Sequence, residues 1–129
     1  MAKVLVVDDT DELRTLLEVR LRQAGHRVVS AASGEEALQL LAERGAPDVA
    51  VLDVLMPGMS GLELLAKLRE TPAYAAVPVI FLSARVQPAD ITAGRELGAM
   101  YLTKPVVMSA LTLAIERSLQ VPDAVAGSW

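Results

Sequence analysis

A chain of 129 residues, 53% of them hydrophobic, has the size and apolar content of one folded domain with a real core, which excludes disorder as its dominant state. The absence of cysteine excludes a disulfide framework and a thiolate metal site, and fits a reducing cytoplasm. A net charge of −4 without a block of Lys or Arg makes it a poor binder of nucleic acid, and no uncharged apolar run approaches the ~20 residues needed to cross a bilayer.

Val4-Leu5-Val6-Val7 is a continuous apolar run, the pattern of a strand buried on both faces. Leu13, Leu16, Leu17, Leu21 and Ala24 then recur at helical spacing, and Gly25 stops that helix. Arg27-Val28-Val29 predicts a short second strand. Ser33, ahead of Gly34-Glu35-Glu36, reads as the N-cap of a second helix running to about Arg44, with acids in its first turn. Pro47 interrupts the chain, and Val49-Ala50-Val51-Leu52 predicts a third strand ending at Asp53. Leu62, Leu65 and Leu68 mark a third helix. Val77 to Leu82 predicts the fourth strand, with Pro78 tolerable only near its start. Residues 88–97 predict a fourth helix that Gly94 weakens by roughly 1 kcal/mol against alanine. Met100-Tyr101-Leu102 predicts a brief fifth strand and residues 107–120 a fifth helix. Residues 1–120 are read as one domain and 121–129 as a C-terminal tail or the start of a linker. With one Phe, two Tyr and one Trp in the chain, the core is expected to be aliphatic.

Five strand–helix units imply an α/β fold: a flavodoxin-like, doubly wound parallel sheet of strand order 2-1-3-4-5 with helices on both faces. In that order the ligand site lies at the carboxyl ends of strands 1 and 3. Asp8 and Asp9 follow strand 1 and Asp53 closes strand 3, so three carboxylates are expected to converge. An Asp after a strand ordinarily starts a turn. Three at one end of adjacent strands repel one another, and a hard divalent cation such as Mg²⁺ resolves the conflict. An acidic first loop also argues against a flavodoxin, whose phosphate is cradled by backbone N–H groups. Ser83 after strand 4 and Lys104-Pro105 after strand 5 reach the same cleft. Alone, Ser83 would be a helix N-cap and Lys104 a solvated charge. With the acids they supply a hydroxyl and an ammonium for anionic oxygens around a metal-bound carboxylate, the equipment of phosphoryl transfer.

Val7-Asp8-Asp9, Leu52-Asp53-Val54-Leu55-Met56-Pro57-Gly58-Met59-Ser60-Gly61, Leu82-Ser83-Ala84 and Tyr101-Leu102-Thr103-Lys104-Pro105, at these spacings, resemble a bacterial two-component response-regulator receiver domain of the chemotaxis-regulator kind. The resemblance covers residues 3 to about 118. It implies a signalling switch rather than an enzyme: Asp53 accepts a phosphoryl group from the phosphohistidine of a sensor histidine kinase or phosphotransfer protein. It also implies that Asp9 and Asp53 ligate Mg²⁺ directly, that Asp8 acts largely through water, and that the Leu55 backbone carbonyl is a further ligand. Lys104 would pair with the phosphoryl oxygens. Ser83 would swing toward them, letting Tyr101 turn inward and reshape the face made by helix 4, strand 5 and helix 5. Leu55 and Arg85 would flank the path of the hydrolytic water, and an apolar Leu55 implies slow self-dephosphorylation.

Three features depart from the family pattern. Gly98-Ala99-Met100-Tyr101 is one residue shorter than the usual Gly-Ala-x-x-Tyr, which points to an altered strand 5 or approach to it. Val106 stands where an aromatic usually follows Lys-Pro. Residues 106–115 carry no charge, so helix 5 presents more apolar surface than one stripe needs, and a homodimer through it is expected. The rivals are an aspartate-nucleophile phosphatase of the haloacid-dehalogenase type, with Asp9-Thr10-Asp11 as its Asp-x-Asp signature, and a receiver-like module that is never phosphorylated. The first would leave Asp53 and the Met-Pro-Gly loop without a purpose. His26 reads as a surface residue, and Met56 and Met59 as loop packing.

Overall fold

A computed structural model describes residues 2–84 and 88–119 (for Asp90, the backbone alone). The elements alternate throughout: β1 Lys3–Val7, α1 Asp11–Gln23, β2 Arg27–Ala31, α2 Gly34–Arg44, β3 Val49–Asp53, α3 Gly61–Glu70, β4 Val79–Ser83, α4 Pro88–Glu96, β5 Ala99–Thr103 and α5 Met108–Leu119. All strand pairs are parallel and the order is β2-β1-β3-β4-β5, the flavodoxin-like order expected. Arg85 and residues 120–129, including the whole of the expected tail and Trp129, lie outside the described residues.

The continuous apolar runs of the central strands arise because each strand feeds two cores. Leu5, Val7, Leu52 and Phe81 point to one face, where they meet Leu41 of α2 and Leu64, Leu65 and Leu68 of α3. Val4, Val6, Val51, Ile80 and Leu82 point to the other, against Leu17 and Leu21 of α1 and Leu111 and Ile115 of α5. Caps define the helix starts: the Ser33 side chain accepts from Glu36 N–H at 3.1 Å, and Ser60 and Glu63 form a reciprocal capping box at α3.

Three details differ from the sequence expectation. The buried stripe of α1 follows i, i+4 spacing through Leu13, Leu17 and Leu21, and Leu16 is rotated off it and left 46% exposed. Strand β2 continues through Ser30 and Ala31, because Ala31 C=O accepts from Asp8 N–H at 3.1 Å and Ser30 Oγ donates to Glu18. Strand β5 is regular over five residues and pairs in register with β4 from Val79↔Ala99 to Ser83↔Thr103. Only Leu97 and Gly98, the latter at φ 83°, separate α4 from β5.

Candidate functional site

The parallel register brings three strand ends to one edge of the sheet. Asp8 and Asp53 are buried and Asp9 is exposed, and one carboxylate oxygen from each lies within 4.8 Å of the others. Lys104, immediately after β5, is held there by its own N–H, which donates to Ser83 C=O at 2.8 Å. Its ammonium reaches both buried acids, with Nζ 3.2 Å from Asp8 Oδ2 and 3.3 Å from Asp53 Oδ2. The Lys104–Pro105 peptide is cis. The ordinary reading of Lys104 as a solvated charge therefore fails. So does that of Ser83 as an N-cap: Ser83 is the buried last residue of β4, opposite Thr103, and α4 begins only at Pro88.

Backbone donors fix the remaining oxygens. Thr10 N–H donates to Asp8 Oδ1 at 2.8 Å and Leu55 N–H to Asp53 Oδ1 at 3.2 Å. Arg14 Nη1 donates to Asp8 C=O at 2.7 Å, tying α1 to the same loop. Burial raises the Asp53 pKa above the usual carboxylate value; Lys104 opposes the rise and Asp8 adds to it. Burial alone would lower the Lys104 pKa, but the Asp53 and Asp8 charges outweigh it and the net shift is upward. Lys104 thus stays charged.

Three carboxylates against one ammonium leave an excess of negative charge among hard oxygen donors. This donor set suits a hard divalent cation, and Asp9 faces solvent, where such an ion enters.

Gly61 was missed as a site residue. A Cβ there would fall 2.2 Å from the Asp53 carbonyl oxygen, so only glycine lets α3 start directly beside Asp53. Gly61 N–H donates to Val54 C=O at 2.9 Å. The Ser60 and Glu63 capping box marks the start of α3 but does not by itself call for glycine at 61. Tyr101 is not among the site's charged groups. It stands opposite Phe81, two residues back from the Ser83–Thr103 row, with its ring centroid 5.1 Å from that of Phe81.

A family model for the response regulator receiver domain matches residues 4–116. The chain belongs to that family. Receiver domains belong to two-component systems, and curated relatives match along most of this chain. The transcriptional regulatory protein AfsQ1 of Streptomyces coelicolor is 42% identical over 121 residues, 93% of this chain and 52% of AfsQ1. The chain thus spans about half the length of that relative. PilH of Pseudomonas aeruginosa is 35% identical over 92% of this chain and 98% of PilH. Among solved structures, chemotaxis protein CheY4 of Vibrio cholerae superposes with a TM-score of 0.84 at 36% identity, covering 92% of this chain and 99% of that one. The same strand order and helix placement recur in these receiver domains, so the fold is theirs.

Proposed function

We infer that this receiver domain carries a transient phosphoryl group on Asp53, taken from the phosphohistidine of a sensor histidine kinase or phosphotransfer protein. The observation that supports this best is the convergence of Asp8, Asp9 and Asp53 with the Lys104 ammonium 3.2 and 3.3 Å from the two buried acids. An Asp53 oxygen forms the new O–P bond as the P–N bond breaks, and the bonding pair leaves with the imidazole nitrogen. Lys104, pinned by Ser83 C=O, balances charge on the phosphoryl oxygens. Asp8, Asp9, Asp53 and the Leu55 carbonyl are the residues that would hold Mg²⁺, which supplies charge neutralisation to the phosphoryl group when bound. Ser83, buried beside Lys104, and Tyr101, one strand over, carry the change to the face formed by α4, β5 and α5. Leu55 is 60% exposed at the mouth of the site and offers an attacking water no hydrogen-bonding side chain, which favours slow hydrolysis.

The domain acts in the cytoplasm over residues 1–120, without binding nucleic acid or membrane itself; no described helix is long and apolar enough to cross a membrane. It self-associates through the α5 region.

Acetyl phosphate with Mg²⁺ is expected to add one phosphoryl group, read by intact mass. Asp53→Asn is expected to take up none, and unchanged labelling of that variant would overturn the assignment.

A further inference from the structure

Gly94 is buried in the second turn of α4 and has ordinary helical backbone, so no turn requires glycine there. Alanine at such a position ordinarily favours folding by roughly fivefold in the equilibrium constant. What glycine supplies is space. A Cβ built on Gly94 would lie 2.2 Å from Tyr101 Oη and 2.9 Å from its Cε2 and Cζ, far inside contact distance.

Either the Tyr101 ring or the packing of α4 on β5 must yield. The Tyr101 ring packs on the fully buried Phe81, its partner across the β4–β5 ladder. The C-terminal end of α4 is pinned as well: Arg69 Nε donates to Leu97 C=O at 2.7 Å, while Arg69 Nη1 donates to Val77 C=O at 2.7 Å. The two-residue connection Leu97-Gly98 leaves little slack between helix and strand. A side chain at 94 and this placement of the phenol exclude each other.

We propose that Gly94 is a positioning residue for Tyr101. Lacking a side chain, it opens a slot on α4 in which the phenol lies, and any larger residue at 94 drives the ring off Phe81. The functional part rests on the switch assigned to Tyr101 above; the slot itself does not.

A double-mutant cycle tests the slot. Gly94→Ala is expected to lower the folding equilibrium constant in the wild-type background, and to raise it roughly fivefold in a Tyr101→Ala background, where only helix preference remains. Should Gly94→Ala alone fail to fold, Tyr101→Ala is expected to rescue it. Equal effects in both backgrounds, or no rescue, overturn the proposal. ¹³C-tyrosine spectra test the coupling, since Tyr74 is the only other tyrosine. With acetyl phosphate and Mg²⁺, wild type and Gly94→Ala are expected to label equally by mass, but only wild-type Tyr101 signals move. Equal movement in both removes the positioning role. Absence of labelling in the wild type would instead count against phosphorylation of Asp53, with the cycle still deciding the slot.

Discussion

At neutral pH Asp53 is a cost to the resting protein and Lys104 a support, although both hold their protons more tightly when folded. A carboxyl whose folded pKa is raised binds its proton more tightly in the folded state. That advantage is full below the unfolded carboxylate pKa and is lost as pH rises through the folded value, leaving a buried anion beside Asp8 at neutral pH. Asparagine at 53 has no such liability. Carboxylates a few ångströms apart repel by roughly 1–4 kcal/mol, and Lys104 offsets part of this. In chelator at pH 7, Asp53→Asn is therefore expected to gain on the order of 1 kcal/mol, about 3 °C in melting temperature, while losing phosphorylation. The gain should shrink as pH falls through the carboxylate range. Thermal melts in EDTA at several pH values check this. Lower stability of both Asp53→Asn and Asp9→Asn there would mean that the acids are structural acceptors and not a cation site. For Lys104 the sign is the same and the window lies higher: its raised pKa keeps both ion pairs intact below the ordinary lysine value, and their contribution is lost only as pH climbs past the folded one. These charged residues were legible in sequence because strand ends place them. Gly61 was not, since its role depends on how close the Asp53 backbone comes, a distance no residue pattern encodes.

Among the elements, α5 carries the plainest surplus. It buries Leu111, Ala114, Ile115 and Ser118, yet Leu113 remains 47% exposed and Leu119 40%, and Val107 just before it 60%. The uncharged run in its first turns is thus not wholly consumed by the core, which leaves Val107 and Leu113 exposed. Sedimentation is expected to show a dimer whose dissociation constant weakens at least tenfold in Leu113→Lys, with phosphorylation shifting it through the adjoining β5. A monomer at high concentration, with and without a phosphoryl mimic, would retire self-association. The strands were read well because two-sided burial writes an unbroken apolar run. Boundaries were lost where a polar residue found a local partner, as Ser30 did with Glu18. Helix α4 gave the weakest signal for a reason visible only in three dimensions: among its described side chains the buried residue is a glycine, which contributes no apolar side chain to a periodicity count. The contact that glycine makes is with β5, so periodicity within α4 could not reveal it.

At the scale of the whole molecule, the excess negative charge exists only when the sheet is assembled, because unfolding separates Asp53 from Asp8 and Asp9. A cation that binds the folded site alone stabilises by mass action, about 2.7 kcal/mol at a hundredfold excess over the dissociation constant. Melting temperature is expected to climb with Mg²⁺ in wild type and to stay nearly flat in Asp9→Asn, as differential scanning calorimetry can read. The fold class was legible because alternation of five strand and five helix patterns admits few topologies, and right-handed crossovers leave one natural order for a sheet covered on both faces. The shortened Gly98-Ala99-Met100-Tyr101 segment leaves the β4–β5 register intact.

The Lys104–Asp8 ion pair joins residues 96 positions apart and closes the sheet at its last strand. On the ribosome, β1 to β4 with all three acids emerge well before Lys104. A nascent chain therefore displays its carboxylates without their counter-charge, and if Asp53 is the phosphoacceptor proposed above, it cannot answer a phosphodonor until β5 has left the exit tunnel and docked. On the proposed reading, competence to receive a phosphoryl group marks a sheet assembled through its last strand.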